Sequence, residues 1–370
     1  PAELICVNRA DGKILWQRSH SLEGLCGAET AQKVTKDFKR LKTERDRLRR
    51  ELGKAKGDPD KKADLKKQLD ALEREYQGLT ARYPVPPAVS GDPGSTNSAA
   101  TPASDGKYVY ALFGNGIACA YAVAGNKRWV KYVETSQLVF GHSSSPVLVG
   151  GKVLVHLKDL VALDANTGEE VWRTKLSSQH ATPVPIRVGD TPAVIDPSGA
   201  VVRVSDGKVL LRHGYLGTSE CTPIVHEGVL YTTHGKARAL RLVPAGADAV
   251  KVEQVWEGRI AGERRTPSAV LHDGLLYTVS TEGRMEVLDA QTGKLVYQRR
   301  LGIGELYCSL TVAGKYLFAG STKGTAVLFE PGKEYREVSR NQTEGFGSCP
   351  VFSGQRLYLR ARQHLYCIGK

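Results

Sequence analysis

Several residues in this 370-residue sequence have types and spacings that could do chemistry. His142, His180, Glu220, Glu263 with Arg264, Glu305 and Glu344 each stand three to six residues ahead of a recurring anchor, usually Ser, Thr or Cys followed by Pro. Imidazoles and carboxylates offered by several repeats to one channel mouth could hold a cation or a polar ligand. Their offsets vary, which favours a hydrated polar rim over a ligand site. Seven cysteines form a second set. They show no CxxC or CxxH spacing, so no zinc site is implied, and an odd number leaves at least one unpaired. Cys6, Cys119 and Cys367 follow short apolar runs, and Cys221, Cys308 and Cys349 sit beside strand starts. Buried structural thiols are the expectation, without a disulfide framework. No phosphate-binding glycine loop, HExxH or GxSxG turn is present.

The anchors reveal the elements that must position these groups. They fall at Pro102, Pro146, Pro183, Pro223, Pro267, Leu310 and Pro350, at intervals of 44, 37, 40, 44, 43 and 40 residues. Each opens a short apolar strand, followed by a DG, GG or EG turn that favours a tight hairpin, then further strands. Helical periodicity is absent from these stretches. A period near 40 with short alternating strands predicts the four-stranded blade of an all-β propeller.

The turn between the third and fourth strands is the sharpest signal. Residues 161–172 read VALDANTGEEVW and carry Ala162, Asp164, Thr167, Gly168 and Trp172 at fixed spacing; residues 286–297 repeat it with Asp289, Thr292, Gly293 and, in the tryptophan's place, Tyr297. Looser copies occur at 5–16 and 119–129, and all four tryptophans (Trp16, Trp129, Trp172, Trp256) fall at or near this slot. Asp and Thr-Gly suit a turn with a left-handed glycine, and the ring suits a place between blades.

This pattern resembles the tryptophan-docking motif of the pyrroloquinoline-quinone (PQQ) repeat family, over all of the chain except about 21–97. The resemblance implies a propeller outside the cytoplasm, periplasmic or extracellular. It admits two functions. Quinone-dependent dehydrogenases of this family hold PQQ with a cation, but their vicinal cysteine pair and cation ligands have no counterpart here, so no cofactor is expected. Non-enzymatic members, such as the propeller subunit of the outer-membrane β-barrel assembly machinery, bind protein partners. A non-catalytic interaction scaffold is the favoured reading, in a membrane-associated assembly; a dehydrogenase or a ligand or metal binder at the channel mouth is the alternative.

Residues 1–20 read as a partial first blade and 98–370 as blades that close with it. Eight blades are expected, the ends being incomplete; seven are the alternative, with Ile14–Arg18 completing the C-terminal blade. Closure by the two chain ends would remove an exposed edge. Pro1 is followed at once by strand-like sequence, which reads as a chain that begins inside a longer precursor.

Residues 28–83 interrupt the repeats. Val34, Phe38, Leu41, Leu48 and Leu52 recur at heptad spacing with Arg45 breaking the series, and Leu65, Leu69, Leu72, Tyr76 and Leu79 follow at steps of 4, 3, 4 and 3. Between them Gly57 suits a helix end, Asp58 a cap and Pro59 a first helical position. An α-helical coiled-coil hairpin is expected, returning through a linker at 84–97. Net charge over the chain is +13, from 52 Lys and Arg against 39 Asp and Glu; residues 28–82 hold 17 basic and 11 acidic residues, hence +6 of it. These charges are mixed at helical spacing without an aromatic stacking platform, so no nucleic-acid partner is expected. The hairpin reads as a docking arm. No apolar run is long enough for a transmembrane helix.

Overall fold

The computed structural model describes residues 2–55, 57–86, 99–136, 138, 142–177, 179–218 and 220–369. It separates into two compact units, Pro1–Ser178 and Gln179–Lys370. Apart from one inserted helical segment and a single 3-10 turn at Gly214–Leu216, the described residues build antiparallel sheets in sequence order.

The first unit starts with a hairpin of β1 (Ala2–Val7) and β2 (Ile14–His20). Two four-stranded sheets follow, the first blade over 103–132 and the second over 147–174. The second unit holds four more four-stranded blades, the third to sixth, over 184–212, 224–258, 270–300 and 311–342, and a three-stranded seventh over 351–369. The fold class is therefore an all-β propeller with seven blade sheets. Eight blades are not supported: among the described residues, β1 and β2 pair with each other alone and form a two-stranded sheet. Ile14–Arg18 lie in that hairpin, with Trp16 opposite Cys6.

Why this sequence makes blades is visible in burial. The second and third strands are buried almost throughout, as in Leu275–Val279 and Arg284–Asp289, whereas fourth strands such as Leu295–Arg300 are half-buried or exposed. Apolar runs on both faces of an inner strand need cover on both sides, and neighbouring blades supply it. One core joins Tyr110, Ala118 and Trp129 of the first blade to Val153, Val161 and Leu163 of the second. In the second unit, Tyr277, Met285 and Val287 of the fifth blade meet Leu317, Val327 and Phe329 of the sixth. Every third-to-fourth strand pair carries a register shift, for example between Val287 and Leu288. Such bulges sharpen the local twist where each blade meets the next.

The insertion consists of a short α1 (Leu22–Cys26), α2 (Ala28–Lys54) and α3 (Pro59–Thr80). Asp58 caps α3, its side chain accepting from the Lys61 amide at 3.0 Å, and Pro59 opens the first turn. Gly57 takes a φ of 98°, which a side chain would resist. The helices run antiparallel: Val34, Phe38 and Leu41 pack with Leu79, Leu72 and Tyr76, whereas Leu48 and Ala55 pack with Leu65 and Leu69. Arg45 interrupts the apolar series and stays in the interface. Its guanidinium lies 4.0 Å from the Tyr76 ring centroid and pairs with Glu73 at 2.9 Å. The root is tied to the first blade by the Tyr132 hydroxyl, which donates to the Thr80 carbonyl, and by Leu25, which joins the core around Phe113 and Ile117. Burial pushes the Tyr132 phenol up to about 12. The expected linker at 84–97 lies outside the described residues from 87 onward.

Candidate functional site

The loops leading into successive blades carry the polar residues singled out by sequence. His142 belongs to the first unit and is 1% exposed. His180, Glu220, Arg264, Glu305 and Glu344 belong to the second. There the fold brings Glu220 and Arg264 together. Arg264 reaches back from the lead-in of the fifth blade to that of the fourth, where both Glu220 oxygens accept, at 2.8–3.2 Å. That pairing raises the Arg264 pKa further. Glu344 is spent inside its own blade. Its carboxylate accepts from the amides of Gln363 (3.1 Å) and His364 (2.9 Å) and lies 3.4 Å from His364 Nδ1. Burial pushes this carboxyl up, but the two amides and the imidazole outweigh it and hold it below its ordinary value. Glu305 turns an exposed side chain outward, and its carbonyl accepts from the Thr322 amide at 2.8 Å. The Arg264 carbonyl accepts in the same way from Thr281. These lead-in residues therefore fasten loops to hairpins. Among the described residues, no group of three or more His, Cys, Asp or Glu is placed to hold a metal ion.

The ion pair the fold does bury lies next to the residues chosen from sequence. Arg265, 5% exposed, pairs with Glu286, 4% exposed, and its Nη1 donates to the Glu263 carbonyl at 3.1 Å. Glu286 also accepts from the Ala261 amide at 3.0 Å. Burial lowers the Arg265 pKa, against the pull of Glu286. Glu263 pairs instead with Arg284 and Arg300, at 2.9 and 3.3 Å. A similar cluster in the first unit sets Arg173 against Glu134 and Asp159, while Glu134 accepts from the amides of Lys158 and Asp159. Sequence reading missed both, because Arg265 and Glu134 lie in loops that meet Glu286 and Arg173 of distant strands only once the chain folds.

The interface between blades is built from the third-to-fourth strand turn. Asp164 Oδ1 accepts from the amides of Asn166 and Thr167, both at 2.9 Å, and from the Thr167 hydroxyl. Asp289 does the same with Gln291 and Thr292. The Thr167 amide and the Thr292 hydroxyl lead the interactions that hold these two carboxyls below their ordinary values. The turn makes a platform for the ring of the preceding sheet. Trp129 Nε1 donates to the Ala165 carbonyl at 3.1 Å, Trp256 Nε1 to Ala290 at 2.8 Å, and Trp16 Nε1 to Val123 at 2.9 Å. The rings lie on Gly168, Gly293 and Gly125, where a Cβ would come within 2.6, 2.4 and 2.7 Å of indole carbon. These glycines also sit at φ of 72°, 71° and 89°. Both the close approach and the left-handed backbone exclude a side chain. A motif's Asp-Thr-Gly thus receives the previous sheet's indole, not its own. Trp172 is buried, 9% exposed. Tyr297 takes the ring's place in the fifth blade, and among the described residues its buried hydroxyl finds no hydrogen-bond partner, so burial raises its pKa.

A further recurrence uses the Ser, Thr or Cys at or beside several anchors. In the second unit the Thr182 amide donates to Thr222 Oγ1 (3.3 Å), the Thr222 amide to Ser268 Oγ (2.9 Å), the Ser268 amide to Ser309 Oγ (2.9 Å) and the Ser309 amide to Cys349 Sγ (3.2 Å). In the first unit the Thr101 amide donates to Ser145 Oγ at 2.9 Å. The fourth, fifth and sixth blades thus each give an amide and receive with a side chain. All seven cysteines are free thiols. Cys119, Cys221 and Cys308 are buried, and burial pushes Cys119 and Cys308 up to about 12. Cys349 and Cys367 are exposed, contrary to the expectation of burial, because they lie at the anchor loop and on the last strand of the three-stranded blade.

Antiparallel blades in sequence order, with three of their turns carrying the neighbouring sheet's indole, define a β-propeller of the PQQ-repeat type. A family model described as "Outer membrane protein assembly factor BamB" matches residues 82–180 and 158–370, and the chain belongs to that family. Among solved structures, BamB from Moraxella catarrhalis is similar at 17% identity and a TM-score of 0.50, covering 72% of this chain and 94% of that one. The computationally designed Ika8 protein aligns at 10% identity and a TM-score of 0.47, with the same coverage. No curated protein matches. The likeness to the Moraxella protein speaks for the fold alone.

Proposed function

We propose that this chain is a non-catalytic scaffold for protein partners, working in an assembly at a membrane outside the cytoplasm, with the helical hairpin as its docking arm. The observation that carries this reading is how the polar lead-in residues are used. Glu220 and Arg264 neutralise each other, and Glu344 holds a hairpin turn, so these groups brace blades where a catalytic site would leave them poised toward substrate. The family's printed description, an assembly factor, agrees with such a role. The hairpin adds about 40 Å of rigid reach, from 27 residues of α2 at about 1.5 Å each. Its seam is read as a short two-helix coiled coil.

On this reading the protein takes up no PQQ. Titration calorimetry and absorption spectra of the purified protein with PQQ and calcium are expected to show no saturable tight binding. Such binding would overturn the proposal in favour of a quinone enzyme. The arm is tested by replacing Gly27–Arg82 with a short Gly/Ser linker. The blades are expected to stay folded while affinity for a verified partner falls; an unchanged affinity would remove the hairpin from the docking role.

A further inference from the structure

The hairpin's net charge is concentrated at its far end. Residues 47–67, around the turn between the helices, hold nine Lys and Arg against four Asp and Glu, a net of +5. The rest, 28–46 and 68–82, holds eight against seven, a net of +1. Near the root, acids and bases answer each other across the helices, as in Arg40 with Glu75 and Arg45 with Glu73. In the distal half three of the four acids are already engaged. Glu51 pairs with Arg47, Asp58 caps α3 and Asp64 accepts from the Gln68 amide at 2.8 Å. Lys54, Lys61, Lys62, Lys66 and Lys67 are exposed, and no ion pair engages them among the described residues. Lys62 and Lys66 stand one turn apart on one face of α3.

We infer that this distal collar docks on the anionic headgroups of a phospholipid surface. Lysine ammonium groups are mobile point charges without a fixed fork, which suits a field of phosphates better than one shaped carboxylate or base edge. Residues 47–67 contain no aromatic side chain, so stacking on nucleic-acid bases has no platform. Leu48 and Leu65 are turned into the seam, so contact is made through charge alone and does not insert. The end of a rigid arm is also where a long-range charge contact obstructs the blades least. This inference rests on the reading of the hairpin as a docking arm and names the surface that arm meets.

The test is flotation of the full chain with vesicles of phosphatidylcholine alone and of phosphatidylcholine mixed with phosphatidylglycerol, at low and high salt. Binding is expected only with phosphatidylglycerol, and it should fade at high salt, because a screened charge contact has nothing else to hold it. Lys54→Gln, Lys61→Gln, Lys62→Gln and Lys66→Gln combined should weaken it by about tenfold or more, since each lysine contributes separately near a charged surface. The same four positions changed to Arg should retain it. Neutralising Lys33, Lys36, Lys39 and Arg74 nearer the root should cost much less. Helical circular dichroism of every variant guards against simple unfolding. Equal binding to both vesicles, indifference to the distal charges, or an equal loss from the root variant would each overturn the inference. So would saturable binding of the distal collar to polyglutamate with no vesicle binding, which would make the surface an acidic protein. The arm reading fails separately, if hairpin replacement leaves partner affinity intact.

Discussion

The blades and the helical hairpin both arise from repeated apolar residues, yet they are held together differently. A blade interface such as that of Trp256 on Gly293 is directional. The indole has one carbonyl to donate to, Ala290, and one glycine to lie on, and the same two blades share the Thr222 amide to Ser268 hydroxyl contact. The hairpin seam is permissive. Arg45 sits in the middle of it, satisfied by Tyr76 and Glu73. Repetition of a motif therefore gives unequal tolerance: the blades depend on particular atoms, the arm on the average character of a face.

That contrast sets an order of expected effects. Trp256→Ala should cost about 3–5 kcal/mol, as for truncation of a large buried aromatic, read as a drop in denaturant midpoint. A change below about 1 kcal/mol would mean that the slot is as forgiving as the hairpin. Gly293→Ala comes next, at about 2 kcal/mol, because the new Cβ meets both the ring of Trp256 and a left-handed backbone. Thermal melts of this variant beside Gly151→Ala should separate the two causes, since Gly151 has a φ of 73° but open space around it. Thr222→Val keeps the shape and removes the acceptor for the Thr182 amide; about 1 kcal/mol is expected, with faster hydrogen exchange at that amide. Replacing Gly27–Arg82 should shift the midpoint of the blades by only about 1 kcal/mol, the worth of the Tyr132 contact at the root. Tyr297→Phe should be neutral or stabilising by up to about 1 kcal/mol, because it removes a buried hydroxyl without a partner. Clear destabilisation there would show that the hydroxyl is bonded in solution.

Features with a short sequence period were readable before the structure. The Asp-Thr-Gly turns and the helical hairpin with its Asp58 cap depend on neighbours close in sequence, and the recurrence near 40 residues repeats the turns. Blade number was not readable in the same way. Residues 2–20 have the composition of a third and fourth strand, but composition does not say whether two strands count as a blade, and here they form a separate hairpin. The buried pair beside the lead-in polar residues was not readable either. Glu263 and Arg264 were conspicuous as an acid beside a base, whereas the buried base is Arg265, one residue on, whose partner Glu286 is 21 positions away. Adjacent charges advertise themselves; a loop charge and its partner on a distant strand do not. The anchor hydroxyls were visible as a pattern, but their use as acceptors for the previous blade's amide was not, because it depends on stacking.

The amide–hydroxyl succession from Thr182 to Cys349 has a consequence for how such a chain grows. Each module hands one proton donor to the next and meets the previous one with one acceptor. A tandem duplication of some 40 residues would insert a link that is already matched at both ends, and a deletion would rejoin two compatible halves. Copy number within this succession can therefore change without an internal joint being redesigned.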